Sequence, residues 1–199
     1  MLIKICGIMS SEMALVAEQA GADLIGFVFA PSSRQLAPER AAKIAGVLSP
    51  ATKKVGVFVN ESREEIERIA AIVGLDYVQL HGDESMEFAE SLSLPVIKAF
   101  TIGEVSDEEL ANYPADYFLL DSPGTTYRGG SGIPFDWGQV SSRKFDREKF
   151  ILAGGLTADN VTEAIEVARP AGVDVSSGVE TAGEKDADKI EDFVARVRG

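Results

Sequence analysis

The chain has few of the residues that build disulfides and metal sites: one cysteine and one histidine among 199 residues. A single cysteine excludes an internal disulfide and any site held by several cysteines, and with no second histidine we expect no bound metal. No apolar run reaches the roughly 18 residues of a membrane-spanning helix. The first residues enter a strand pattern without a charged leader, so we expect no signal peptide, no membrane association and a cytoplasmic location.

Positive charge is also scarce. Nineteen Lys and Arg residues stand against 32 Asp and Glu residues, which gives a net charge of −13. A field of this sign repels nucleic acid phosphates, so no nucleic acid partner is expected. A small anionic substrate stays compatible with this charge, because backbone N–H groups at a helix N-terminus bind anions locally.

What the chain does contain is a short apolar strand followed by a helical segment, eight times over. The strands are predicted at residues 2–6, 24–29, 54–59, 77–80, 95–100, 117–121, 150–154 and 172–176. Their continuous Val, Ile, Leu and Phe content is typical of a parallel sheet buried on both faces. Strict alternation allows an open doubly wound sheet or a closed (β/α)8 barrel. Eight units, with no G-x-G-x-x-G after the first strand, favour an α/β fold with one (β/α)8 TIM barrel domain over residues 1–199.

Serine residues mark the predicted helix starts. Ser10 or Ser11 is expected to cap the first helix. In the third unit, Ser62 and Glu65 predict a capping box, and the residues at 64 and 68 have the i,i+4 spacing of a Glu–Arg pair.

Polar residues collect where the predicted strands end, which is where barrel enzymes carry their active sites. Cys6 ends the first strand and Asp121 ends the sixth. An acid directly after the apolar run YFLL lies at the rim of a dry interior, where its pKa can rise toward that of a useful general acid. Cys6 has two interpretations at this point: an inert buried thiol, or a reactive group at the rim of a site.

Three other loops also contain candidates. Arg34, after the second strand, is either solvated or placed to clamp a carboxylate with two hydrogen bonds. His81, after the fourth strand, is either a substrate contact or a satisfied polar residue. The Gly-rich segment 128–132 in the long sixth loop is either a mobile lid or a second backbone contact.

Glycine residues follow the seventh and eighth strands, where barrels often build a phosphate site from backbone N–H groups. Glycine allows the backbone to approach a phosphate closely. The alternative is ordinary turn chemistry, which explains one glycine pair more easily than glycines on two adjacent rims. The residues concerned are Gly154, Gly155 and Gly178.

Eight blocks, read in chain order, resemble the phosphoribosylanthranilate isomerase family over nearly the whole chain. They are KICGI, GFVF, VGVFVN, VQLHGDE, IKAF, LLD with RGGSG and FDW, LAGGL with NV, and VDVSSGVE. The resemblance implies a (β/α)8 barrel that needs no cofactor and no metal. It also implies an Amadori rearrangement of N-(5-phosphoribosyl)anthranilate, a small phosphorylated substrate of tryptophan biosynthesis.

The resemblance also implies roles for single residues. Cys6 is then the general base and Asp121 the general acid, while Arg34 contacts the anthranilate carboxylate. A thiolate can act as the base if a neighbour lowers its pKa from about 8.5 toward neutrality. The remaining substrate contacts are a phosphate cradle and an orienting acid: Gly154, Gly155, Ser177, Gly178 and Asp174.

Two other functions stay open on the sequence. One is a different sugar-phosphate barrel isomerase, such as the related histidine-pathway enzyme that uses two aspartates; a cysteine on the first strand argues against it. The other is a non-catalytic barrel that binds a phosphorylated ligand, with Cys6 as core filler. For oligomeric state we expect a monomer or a homodimer.

Overall fold

Eight parallel strands close into a barrel in the computed structural model, which describes residues 1–122 and 136–199. Each strand pairs with the next along the chain, and β8 pairs back with β1. The strands are β1 (Leu2–Cys6), β2 (Leu24–Val28), β3 (Lys53–Phe58), β4 (Tyr77–Leu80), β5 (Val96–Thr101), β6 (Tyr117–Asp121), β7 (Phe150–Leu152) and β8 (Gly172–Val175). The predicted barrel is confirmed, and the predicted strand bounds differ from the observed ones by two residues at most.

Helices cover the outside of the barrel. They are α1 (Ser11–Ala20), α2 (Pro38–Ala45), α3 (Arg63–Val73), α4 (Met86–Glu90), α5 (Asp107–Asn112), α6 (Gly138–Ser141), α7 (Val161–Ala168) and α8 (Ala187–Arg198). Between β8 and α8 the chain forms a 3-10 turn (Ser177–Val179) and a small hairpin of β9 (Glu180–Thr181) and β10 (Glu184–Lys185). No helix within the described ranges is long and apolar enough to cross a membrane.

Side chains of each strand alternate between two apolar layers. The outer layer lies between the strands and the helices and contains most of the large buried residues. The inner layer fills the barrel and is small: Leu24, Val55, Ile97, Ala99, Leu119, Ile151 and Ala153. Polar side chains replace apolar ones toward the carboxyl ends of the strands, so the candidate site lies above a dry floor.

The amino end of the barrel has a repeated hydrogen bond. An aspartate just before β2, β4 and β6 accepts from a backbone N–H at or near the start of the preceding odd-numbered strand, at 2.8 to 2.9 Å. These residues are Asp23, Asp76 and Asp116. Since all three lie at the end opposite the candidate site, they hold strand register and leave the chemistry to the other rim.

The helix caps agree with the sequence in part. Ser10 caps α1 as expected. Ser62 accepts from the Glu65 N–H at 3.3 Å, but the Glu65 carboxylate binds Arg68 through two hydrogen bonds of 2.7 and 2.6 Å. The predicted capping box and the predicted pair between Glu64 and Arg68 are therefore wrong, because the two-pronged contact with Arg68 takes the carboxylate away from the cap.

Candidate active site

The centre of the site is a buried ion pair between β1 and β8. Lys4 and Asp174 are direct partners in the strand register. The Lys4 side chain points into the barrel with no exposed surface, and its Nζ donates to Asp174 Oδ1 at 2.8 Å. Burial by itself lowers the pKa of Lys4, but the negative charges of Asp174 and an ionised Cys6 outweigh it and raise that pKa. The ammonium is thus a permanent charge inside the barrel.

Cys6 lies two residues after Lys4 on β1, and its side chain points to the same inward face. Its thiol is buried, and Lys4 is the cation that acts on it most strongly. Burial raises the pKa of the Cys6 thiol, and the nearby Asp174 carboxylate acts in the same direction. Lys4 and Lys185 act in the opposite direction without reversing the shift. The net effect is a raised pKa for the Cys6 thiol, so these neighbours do not supply the lowering that a thiolate base needs.

Gly26 on β2 makes space for these two side chains. It pairs with Cys6 in the strand register. A Cβ atom at Gly26 would lie 2.9 Å from Cys6 Sγ and 3.2 Å from Lys4 Nζ, closer than side chains normally pack. The sequence reasoning missed both Gly26 and Lys4, although a glycine inside one apolar strand and a lysine inside another were visible signals.

Asp121 ends β6 on the inward face, two residues after Leu119 of the inner core. It is buried, and its Oδ1 accepts from the Ser122 N–H at 2.8 Å. Oδ2 lies 3.7 Å from His81 Nε2. Asp121 and Cys6 thus lie at the same end of the barrel, on strands separated by β7 and β8 on one side and by four strands on the other.

His81 faces Asp121 as a neutral ring. Burial lowers the pKa of His81 to about 4, so the imidazole is uncharged at pH 7. Gln79 Nε2 lies 3.2 Å from His81 Nδ1. With Gln79 donating to Nδ1, the ring proton is on Nε2 and points toward Asp121. Of the two interpretations of His81, the structure places it in the site, beside the candidate acid.

The segment after His81 is held from outside the barrel. Lys98 Nζ, on the outer face of β5, donates to the Gly82 carbonyl and to Glu84 Oε2, both at 2.7 Å. Glu84 also accepts from the N–H of Gly82. This second buried ion pair sets the path of the loop that ends β4 and does not face the barrel interior.

Arg34 lies over the barrel mouth, as its place after β2 predicted. Its Nε and one terminal nitrogen donate to the two carboxylate oxygens of Glu180, both at 2.7 Å. Gly7 has φ +76°, and a Cβ there would lie 2.5 Å from Arg34 Cδ. The room that Gly7 leaves is therefore occupied by the Arg34 stem. Glu180, which also binds Lys185, was not a sequence candidate because it lies 146 residues from Arg34.

The candidate phosphate residues come from two loops that touch each other. Gly154 and Gly155 follow β7 with φ +86° and +63°. Ser177 and Gly178 belong to the 3-10 turn after β8. A Cβ at Gly178 would lie 1.8 Å from the Leu156 carbonyl oxygen, so glycine is required for the two loops to meet. The candidate lid at 128–132 lies outside the described residues.

Known proteins resemble this chain over nearly its whole length. The sequence model described as "N-(5'phosphoribosyl)anthranilate (PRA) isomerase" matches residues 3–196. The chain belongs to this family. The N-(5'-phosphoribosyl)anthranilate isomerase of Oceanobacillus iheyensis is 48% identical over 199 residues, covering 100% of this chain and 97% of that protein.

Solved phosphoribosylanthranilate isomerases have the same fold. A crystal structure in complex with reduced 1-(o-carboxyphenylamino)-1-deoxyribulose 5-phosphate matches with a TM-score of 0.84 and 40% identity, over 99% of this chain and 98% of that one. The Thermotoga maritima enzyme, described as dimeric and studied in a monomeric form, matches with a TM-score of 0.83 and 40% identity over the same shares. The family resemblance drawn from the sequence blocks is confirmed.

Proposed function

We propose that this chain catalyses the Amadori rearrangement of N-(5-phosphoribosyl)anthranilate to 1-(2-carboxyphenylamino)-1-deoxyribulose 5-phosphate, a step of tryptophan biosynthesis. Membership of the isomerase family supports the reaction. The observation that carries the mechanism is the placement of one thiol and one carboxyl group, Cys6 and Asp121, on the inward face at the same end of the barrel.

In the first step Asp121 acts as the general acid. It gives a proton to the ring oxygen of the ribose, the C1′–O bond breaks, and the lone pair of the anthranilate nitrogen forms an iminium. The carboxyl group is buried, so the proton passes directly to substrate and not to bulk water. The neutral His81 ring beside it places a hydrogen-bond donor, and no charge, next to the carboxylate that this step leaves.

In the second step Cys6 acts as the general base. The iminium withdraws electrons from C2′, so a base of moderate strength can remove the C2′ proton. The resulting enolamine tautomerises to the ketone product. Because burial raises the pKa of the Cys6 thiol, the thiol must first release its proton to solvent, and a bound cationic intermediate favours that ionisation by direct charge attraction.

Other residues bind the two anionic ends of the substrate. Arg34 keeps N–H groups beyond the two that Glu180 occupies, and we assign it to the anthranilate carboxylate. Asp174 is assigned to orienting the substrate above Lys4. The backbone of the loops after β7 and β8 is assigned to the phosphate, at Gly154, Gly155, Ser177 and Gly178.

The test uses phosphoribosylanthranilate generated in situ, whose anthranilate fluorescence decays as it is isomerised. Wild type, Cys6→Ser and Asp121→Asn are assayed side by side, each checked for folding by circular dichroism. We expect fast decay in wild type and a loss of turnover on the order of a hundredfold or more in each variant, with binding of a product analogue retained. The Asp76→Asn variant, at the opposite end of the barrel, is the matched control and should retain turnover.

Each other outcome has a definite meaning. Fast decay in all proteins would keep the reaction and remove Cys6 and Asp121 from their roles. No decay in wild type, at low or high salt, would overturn the proposed function. Tight product binding without turnover would then favour a binding barrel, and turnover of the histidine-pathway substrate would favour the related isomerase.

A further inference from the structure

We infer that Lys4 is a positioning residue of the reaction: its ammonium, aimed by Asp174, is the counter-charge that allows Cys6 to become negative inside the barrel. The inference rests on the proposed function, in which Cys6 is the base. It gives a role to a side chain that the proposed mechanism does not otherwise use. Burying this ammonium costs desolvation free energy.

The geometry brings the three groups to one place. Lys4 and Cys6 are two residues apart on β1, so their side chains share the inward face. The Lys4 and Asp174 side chains meet at 2.8 Å across the β1–β8 ladder. Cys6 Sγ and Lys4 Nζ both lie within about 3 Å of the space where a Gly26 Cβ would be. An ammonium held there by a carboxylate on one side has its other N–H groups available to the sulfur.

Other charged groups also face Cys6. Lys185 on β10 and Arg34 after β2 are cations that interact with the thiolate. Both are already bound to the Glu180 carboxylate, which offsets part of their charge. Asp174 is the anion that opposes a thiolate.

His81, across the barrel mouth, adds no charge at pH 7. Among the described residues, Lys4 is therefore the fully buried cation that acts most strongly on the Cys6 thiol, and Asp174 limits how strongly it acts. Removing Lys4 must raise the pKa of the Cys6 thiol, and removing Asp174 must lower it. A general loss of packing would not produce two shifts of opposite sign.

Cys6 is the only cysteine in the chain, so its ionisation can be measured without reference to turnover. The rate of alkylation by iodoacetamide, followed by mass spectrometry across pH, gives the pH midpoint of the thiolate. For Lys4→Met we expect the midpoint to rise by about one to three pH units. For Asp174→Asn we expect it to fall, and for the double variant to lie between the two single ones.

Lys98→Met is the matched control. It removes another buried lysine of an ion pair, on the outer face of β5 away from Cys6. We expect the alkylation midpoint of this variant to equal that of wild type. A midpoint that moves as far as in Lys4→Met would mean that any buried cation matters through the fold, and would overturn the inference.

The turnover profile provides the second readout. The pH at which kcat/KM rises on the acidic side of its pH profile should move with the alkylation midpoint, so that Lys4→Met regains activity at high pH. A loss of activity by the same factor at every pH would indicate a purely structural role and overturn the inference. If Lys4→Met does not fold, Asp174→Asn still decides, because a midpoint that is unchanged or raised there contradicts the counter-charge. If wild type shows no turnover but the alkylation midpoints shift as expected, only the proposed function is overturned.

Discussion

Replacing His81 by asparagine should make the protein more resistant to acid. The imidazole is buried beside Asp121 with only 17% of its side chain exposed, and burial lowers its pKa from 6.5 to about 4. The cation of Lys4 and that of Lys98 act in the same direction, while Asp174 partly opposes them. Between these two pKa values, His81 is therefore neutral in the folded protein and protonated in the unfolded chain.

The size of the effect follows from proton linkage. Between pH 6.5 and 4 the unfolded chain binds one more proton at His81 than the folded chain does, so the free energy of unfolding falls as pH falls. With these two pKa values, His81 destabilises the folded state by about 2 kcal/mol at pH 5 and by nearly nothing at pH 7.5. His81→Asn removes this penalty, since asparagine does not titrate.

The assay is urea unfolding followed by circular dichroism, for wild type and His81→Asn at pH 7.5 and pH 5. The difference in unfolding free energy at pH 7.5 contains the packing change of the substitution. Subtracting it from the difference at pH 5 isolates the proton term, which should favour the variant by about 2 kcal/mol. A term of the opposite sign would refute the reasoning, because it would mean that His81 is a cation paired with Asp121 in the folded state.

Two further predictions concern the shape of the site. Gly26→Ala places a Cβ against Sγ of Cys6 and should lower kcat on the order of a hundredfold, because the base is displaced; steady-state rates near wild type would contradict this. Arg34→Lys keeps the charge but loses the two-pronged contact with Glu180. Initial rates should show KM raised about tenfold with kcat changed less, and an unchanged KM with reduced kcat would count against a binding role.

The barrel could be predicted because its causes are local and repeated. Each short Val, Ile, Leu or Phe run needs burial on both faces, and each following segment has helix-starting chemistry. The strand boundaries were predicted less accurately than the strands themselves. β7 ends at Leu152 because Gly154 and Gly155 take positive φ values that a strand does not use. The failed capping box at Ser62 shows the same limit, since a competing partner three residues away decided where the Glu65 carboxylate went.

The candidate residues at the strand ends could also be predicted, because a closed parallel barrel brings all carboxyl ends to one rim. Cys6, Asp121 and Arg34 do lie at that rim in the structure, and their roles remain predictions. The ion-pair partners within the site could not be predicted. Glu180 binds Arg34 across 146 residues of sequence, and Asp174 binds Lys4 across 170. Neither pairing leaves a signal in local spacing.

The sequence by itself determined the order of strands and helices, the family, and which rim the polar residues occupy. Only the tertiary structure decided the charge state of the site. Closure of the barrel removes water from Cys6 and His81, and it brings Lys4 and Asp174 into contact. Protonation depends on solvation and on charges a few ångströms away. Those distances exist only once β1 and β8, from opposite ends of the chain, lie side by side.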